Sequence, residues 1–159
     1  MINRRALTRL LAGATIAPIV RPSWGQAAEG RTVFYSAVGP ELTLYSMNVD
    51  DATLTKRNTV TLPGNVQYAW PHPSRQYFYV VSSGGGPGVA SDKNFANVFR
   101  IDPASGILSP HGEPVVLPSR PIHTSVDMAG EFLLTAYNEP SSLTVHRINR
   151  DGTLGDRVE

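Results

Sequence analysis

Apolar residues in this chain come in short runs separated by turn-forming residues. Residues 32–37, 77–82 and 132–137 are rich in β-branched and aromatic side chains, which favour β-strands. No stretch after Val20 keeps the 3.6-residue apolar period of an amphipathic helix for ten residues. The segments between these runs contain residues that favour turns, such as the Asp-Pro-Ala-Ser-Gly sequence at 102–106. The pattern predicts an all-β fold.

The strand runs repeat along the chain. Each of the three runs is followed by a second run and then by a turn and a leucine; the second runs are 42–49, 96–103 and 143–150. The repeat is 55 residues long from Tyr77 to Phe132 and 45 from Thr32 to Tyr77, and the glycine-rich insertion at 84–94 accounts for most of the difference. A unit of about 45 residues with four strands has the size of a β-propeller blade.

This repeat divides residues 29–159 into blades. The predicted strands are 32–37, 42–49 and 54–61 in a first blade, 65–71, 77–83, 95–102 and 107–117 in a second, and 122–127, 132–137 and 143–149 in a third, with the chain stopping inside or near that blade's outer strand. The fold class is therefore a partial β-propeller of about two and a half to three blades. Because blades bury their faces against neighbours and propellers have about four blades or more, we expect the chain to be the N-terminal part of a longer protein.

The N-terminus has the layout of an export signal. Residues 1–9 are basic, 10–20 form a short apolar run, and 22–28 end in small residues, which predicts a signal peptide over 1–28. The pair Arg4 and Arg5 predicts recognition by twin-arginine export machinery, with an ordinary secretory signal or an amphipathic helix as alternatives. An apolar run of 11 residues is shorter than the roughly 20 needed to span a bilayer, so we expect a periplasmic or secreted protein without membrane contact after cleavage.

Composition and charge narrow the function classes. Hydrophobic residues make up 41% and charged residues 17%, which is typical of a globular protein. Cysteine is absent, which excludes disulfides, thiolate metal sites and cysteine nucleophiles. The net charge of +1 includes four arginines before residue 28. The rest of the chain has ten basic and thirteen acidic residues and is mildly acidic, so no nucleic-acid partner is expected.

Three segments carry a family resemblance. Residues 71–80, 99–108 and 120–127 resemble the seven-bladed propeller lactonases, whose members include bacterial 6-phosphogluconolactonase and a fungal carboxymuconate-lactonizing enzyme. The likeness covers residues 31–159, roughly the first third of such a protein. The resemblance implies about three of seven blades, a small-molecule lactone as substrate, hydrolysis as the reaction, and neither cofactor nor metal.

The resemblance also implies one catalytic residue, His123, near the mouth of the central channel. The other residues implied are an Arg, a Glu and a second Arg from later blades, which would lie past Glu159. The repeat places Tyr68 at the equivalent position of the preceding blade, so the repeat itself does not demand a histidine. The alternative is a histidine bonded to backbone carbonyls between blades. Family members usually carry Asn-Tyr after the second strand of this blade, whereas this chain has Tyr137-Asn138.

The remaining histidines and motifs favour structural roles. We expect His72 to stabilise a turn, and His111 and His146 to face solvent or pack on an outer and a third strand. No close ligand spacing predicts a metal site, and the glycines at 84–88 lack the spacing of a phosphate-binding loop. Two alternatives to lactone hydrolysis stay open: a lactonizing cycloisomerase, and a non-catalytic periplasmic propeller that binds a ligand or a protein.

Overall fold

The computed structural model describes residues 32–158, which fold entirely into antiparallel β-sheets. The predicted signal peptide and its Arg4-Arg5 pair lie outside the described residues. Within 32–158, no helix has the length and hydrophobicity to cross a membrane.

Twelve strands form three sheets, which we call blades 1 to 3. Blade 1 contains β1 (Thr32–Val38), β2 (Glu41–Asn48) and β3 (Thr53–Thr61); blade 2 contains β4 (Asn65–Pro71), β5 (Tyr77–Ser83), β6 (Asn94–Ile101), β7 (Leu108–Pro110) and β8 (Val115–Val116); blade 3 contains β9 (Pro121–Val126), β10 (Phe132–Asn138), β11 (Ser141–Ile148) and β12 (Leu154–Arg157). The strands of each blade pair in chain order, as in a propeller blade, and β8 pairs with β6 beside β7. The partial β-propeller predicted from the repeat is confirmed.

One predicted strand is wrong. Residues 107–117 were expected to form a single outer strand, but β7 and β8 are separated by residues 111–114. Pro110 and Pro114 have no N–H to donate to a sheet, and Gly112 has a left-handed φ of 74°. His111 consequently lies between the two strands rather than on one.

The structure also shifts the predicted repeat of blade 1 by one residue. Tyr79 Oη donates to the carbonyl of Gly152 at 2.8 Å, which ties blade 2 to the β11–β12 turn of blade 3. The hydroxyl of Tyr35 donates in the same way to Gly106, in the corresponding turn of blade 2. Tyr35 is therefore the counterpart of Tyr79, and the repeat from blade 1 to blade 2 is 44 residues rather than 45.

Two apolar cores lie between the blades. The core between blades 2 and 3 includes Tyr79, Val81 and Leu133, all completely buried, and the core between blades 1 and 2 includes Leu42 and Phe78. Alternate residues of β5 thus face opposite neighbours, as the two-residue period of a strand requires. This packing fixes β4 and β9 side by side.

Candidate functional site

The inner edges of blades 2 and 3 are formed by two neighbouring strands. β4 is the edge strand of blade 2, β9 is the edge strand of blade 3, and the two contact each other. In a propeller the strands at this edge surround the central channel. Side chains on β4 and β9 that are not used in the cores can therefore face the channel.

Both strands contain a β-bulge at the same place in the repeat. In β4 the register shifts between Val66 and Tyr68, and in β9 it shifts between Pro121 and His123. Tyr68 then pairs with Val81, and His123 pairs with Ala136, which is the repeat counterpart of Val81. A bulge changes the direction of the residue that follows it. The predicted equivalence of Tyr68 and His123 is confirmed by this register.

Three exposed aromatic side chains lie close together on the inner strands. The exposed His123 ring lies 4.2 Å from the Tyr68 ring and 6.2 Å from the Trp70 ring, measured between centroids. Tyr68 and Trp70 are 6.5 Å apart and within 16° of parallel. We refer to Tyr68, Trp70 and His123 as the aromatic group. Among residues 32–158, no hydrogen bond joins the His123 ring to a backbone group, unlike the rings of His72 and His111.

The mouth of the channel lies where β4 and β9 begin. The pair Asn65–Ser83 places the β5–β6 loop at this end, and the pair Pro121–Tyr137 places the β10–β11 turn there as well. Just before β9, Arg120 Nη1 donates to Gln67 Oε1 at 2.9 Å, which links the entry of β9 to the bulge of β4. Arg120 is half-buried, and this bond restrains its guanidinium at the mouth.

The glycine-rich β5–β6 loop is an ordered hairpin extension. Gly84 N donates to the carbonyl of Lys93 at 2.8 Å, and Gly86 and Val89 form a two-way bridge. Its base is closed by Ser83 Oγ, which donates to Asn94 Oδ1 at 2.7 Å. The loop stands at the mouth without the geometry of a phosphate-binding turn, since a strand follows it.

His72 is structural, as its turn position predicts. Its Nδ1 accepts from the Ser74 backbone N–H at 3.1 Å, which leaves Nε2–H to donate to the carbonyl of Gly130 in blade 3 at 3.0 Å. The counterpart of His72 in blade 3 is Asp127, whose carboxylate accepts the backbone N–H of Ala129 in the same manner. Burial alone would raise the pKa of Asp127, but the N–H groups of the turn that bond to it lower this pKa below its usual range.

The other two histidines lie away from the channel. His111 Nε2 is 2.8 Å from the carbonyl oxygen of Asp151 and so connects blade 2 to blade 3. His146 on β11 is 4% exposed, and its Nδ1 is buried without a hydrogen-bond partner among residues 32–158. Burial, and then the nearby Arg157, lowers the pKa of His146. His146 packs on the third strand of its blade as expected, whereas His111 bonds to the next blade from the segment between β7 and β8.

The structure brings together only some of the sequence-predicted chemistry. Among residues 32–158 no three His, Asp or Glu side chains lie close enough to hold a metal ion. His123 is placed at the inner edge, but its closest functional neighbours, Tyr68 and Trp70, were not predicted as site residues. Their signal in the sequence is the Tyr-x-Trp spacing on the strand preceding the His123 repeat, which puts both rings on one face of β4.

Comparisons with known proteins agree with this architecture. The family model for the seven-bladed β-propeller lactonases matches residues 32–159. The 6-phosphogluconolactonase of Cronobacter sakazakii is 35% identical over 106 residues, covering 67% of this chain and 29% of the relative. The enzyme of the same name from Pectobacterium atrosepticum is 33% identical over 106 residues, with the same coverage. The chain thus spans about 29% of the length of these curated relatives.

Solved structures show the same fold. The periplasmic gluconolactonase of Pseudomonas aeruginosa superimposes with a TM-score of 0.66 at 24% identity, covering 80% of this chain and 38% of that one. A protein from Lactobacillus plantarum gives a TM-score of 0.59 at 21% identity, covering 82% and 37%. Together with the three blades and their bonded turns, the family match establishes that this chain belongs to the seven-bladed β-propeller lactonase family.

Proposed function

We propose that the protein is a lactone hydrolase that acts on a sugar or carboxylic-acid lactone, with His123 as general base. One observation supports the site: a bulge directs an exposed histidine to the inner edge of the blades, beside the rings of Tyr68 and Trp70. The names of the curated relatives support a lactone as substrate. Membership of the family supports the reaction class.

The chemistry requires a base that can also return its proton. His123 takes a proton from water as the water oxygen attacks the lactone carbonyl carbon. The ring C–O bond then breaks, and the departing alkoxide receives the proton from the imidazolium. The products are balanced: one lactone and one water give one hydroxy acid. The Tyr68 ring, 4.2 Å from His123, positions the imidazole for both transfers.

A carbonyl oxygen that becomes an oxyanion needs a positive partner. Arg120 is the charged side chain nearest in sequence to His123, and its bond to Gln67 holds the guanidinium at the mouth. We propose that Arg120 attracts the developing charge from a distance. The resemblance assigns the closer contact to an arginine from a later blade.

A ligand-binding propeller without catalysis is the second candidate. It is favoured by the two exposed aromatic side chains beside His123, which suit a binding surface as well as a reaction site. The binding propeller differs from the hydrolase in that it does not convert the lactone.

A lactonizing cycloisomerase would run the ring closure instead and would form lactone from an unsaturated acid.

The direct test follows acid release from a set of lactones in weakly buffered solution. We expect purified full-length protein, and not residues 29–159 alone, to open six-membered sugar lactones faster than the background reaction and to leave linear esters untouched. Lactone formation from an unsaturated dicarboxylic acid would favour the cycloisomerase. Tight lactone binding without any acid release would contradict the hydrolase and favour the binding propeller.

We further propose that residues 1–28 direct export to the periplasm, where the reaction takes place. A fusion of this segment to a reporter that must fold before export tests the route. Replacement of Arg4 and Arg5 by lysines should retain the reporter in the cytoplasm, because twin-arginine signals depend on that pair. Unchanged export of the lysine variant would contradict the twin-arginine route.

A further inference from the structure

We propose that Tyr68 and Trp70 form a stacking platform that binds the C–H face of a sugar lactone and holds the ring against His123. The inference rests on the proposed lactone hydrolase function, since it names the part of the site that recognises the substrate. It adds a ligand class and two recognition residues to that function.

Both side chains are exposed to solvent. Tyr68 is 37% exposed and Trp70 is 38% exposed, although they are large aromatic residues next to an apolar core. Their cross-strand partners on β5, Val81 and Tyr79, are completely buried in that core. The side chains on β5 are thus buried on this face of the sheet, whereas the two rings on the neighbouring inner strand β4 stay accessible to solvent.

The repeat shows that blade packing does not require aromatic residues at these positions. Blade 3 has His123 and Ser125 where blade 2 has Tyr68 and Trp70. The same bulge and pairing are present in both blades, so the inner strand forms equally well with small or polar residues. The pair is thus a feature of this site and not of the blade.

The geometry fits a flat ligand. The two rings lie 6.5 Å apart and within 16° of parallel, and both lie within 6.2 Å of the His123 ring. Aromatic faces carry partial negative charge, and the C–H bonds on one face of a sugar ring carry partial positive charge. A ring resting on this surface would have its ester group beside the imidazole. The platform itself is uncharged, which selects the apolar face of the ring.

The binding measurement uses a ligand that cannot be hydrolysed. Trp24 lies in the segment predicted to be cleaved, and the difference in fluorescence between the wild type and Trp70→Phe reports on Trp70. A gluconolactam, in which an amide replaces the ring ester, should change Trp70 fluorescence on binding. By calorimetry, Trp70→Ala should raise the lactam Kd about threefold to tenfold, and Trp70→Phe should restore much of the affinity.

A matched control removes an aromatic side chain elsewhere. Phe34 on β1 is 43% exposed, comparable to Trp70, but it packs on Tyr45 in blade 1. Phe34→Ala should leave the lactam Kd unchanged, and thermal unfolding should show that both alanine variants remain folded. No fluorescence change with lactam, or an unchanged Kd in folded Trp70→Ala, would overturn the platform.

Failure of the platform and failure of the proposed function give different results. His123→Ala should lose lactone turnover while it still binds lactam, because the platform remains. Wild-type lactonase activity with an unaffected Trp70→Ala variant would remove the platform and keep the hydrolase. Lactam binding that depends on Trp70, in a protein without lactonase activity, would keep the platform as a binding surface and remove the hydrolase.

Discussion

At the scale of single residues, tyrosine hydroxyl groups connect neighbouring blades. Tyr79 is completely buried, and its hydroxyl satisfies the carbonyl of Gly152 across the interface between blades 2 and 3. Burial raises the pKa of Tyr79, so the hydroxyl remains a donor throughout the usual pH range. Tyr35 makes the corresponding bond one blade earlier from a half-buried position.

Removing the buried hydroxyl should weaken the fold measurably. Tyr79→Phe leaves the Gly152 carbonyl without its partner, and we expect the free energy of unfolding to fall by about 1–2 kcal/mol. Tyr35→Phe is the matched comparison and should cost less, since the bond from the half-buried Tyr35 is only partly buried. Urea denaturation compares the two variants. Equal stability of Tyr79→Phe and the wild type would contradict this role.

His146 makes stability depend on pH. Its pKa is lowered in the folded state by burial and by Arg157, whereas an unfolded histidine titrates near 6.5. The unfolded chain therefore binds the proton first, so His146 destabilises the fold as pH falls from about 6.5 through the lowered folded pKa. Above about pH 6.5 both states are neutral and this loss is absent.

A His146→Leu variant tests the effect through the melting temperature at pH 7.5 and 5.5. We expect the wild-type Tm to fall over this window and the variant to show a flatter profile. Asp102 and Asp151, whose pKa values are lowered by hydrogen bonds from Ser105 and Thr153, stay deprotonated throughout this window and do not interfere. Parallel profiles for the two proteins would contradict the assignment to His146.

At the scale of the element, the turns between outer strands determine how closely blades approach. Gly152 has a φ of 87°, and a Cβ there would lie 2.4 Å from the Tyr77 ring. The turn thus packs directly under a side chain of the preceding blade. Only glycine provides both the left-handed backbone and the space.

Gly152→Ala should accordingly destabilise the protein by about 2–4 kcal/mol, through ring displacement and backbone strain. Gly86 is the matched control, because a Cβ there meets nothing within 4 Å. Gly86→Ala should change the free energy of unfolding by less than about 0.5 kcal/mol. Comparable losses in the two variants would contradict the close contact at Gly152.

Strand existence could be predicted from the sequence, but some registers and ends could not. A continuous apolar run identifies β5, which is buried on both faces, and a run of strand-forming residues identifies β10, whose alternate residues are buried. Two similar apolar runs can be aligned one residue apart almost equally well. The correct alignment of blade 1 with blade 2 therefore needed the Tyr35 hydrogen bond. The outer strand of blade 2 is split because Pro110 and Pro114 have no N–H groups to donate to the sheet. A comparison of the repeats alone takes no account of these missing donors.

At the scale of the whole molecule, the inner strands of successive blades create the candidate site. The sequence repeat equated Tyr68 with His123, and the resemblance implied a role for His123, but neither could say that the two rings touch. Contact between them depends on how blades 2 and 3 pack through their shared core. Trp70 was not predicted as a site residue, because its neighbour lies on another blade 53 residues along the chain.

The most direct test of the account is the kcat/KM of lactone hydrolysis for His123→Gln. Glutamine keeps a polar side chain of similar reach but cannot accept and return a proton, so we expect kcat/KM to fall by about 100-fold or more. His111→Gln, a histidine away from the channel, should stay within about twofold in the same assay, since its ring serves an interblade contact. A His123→Gln enzyme with wild-type kcat/KM would contradict the proposal that His123 is the base.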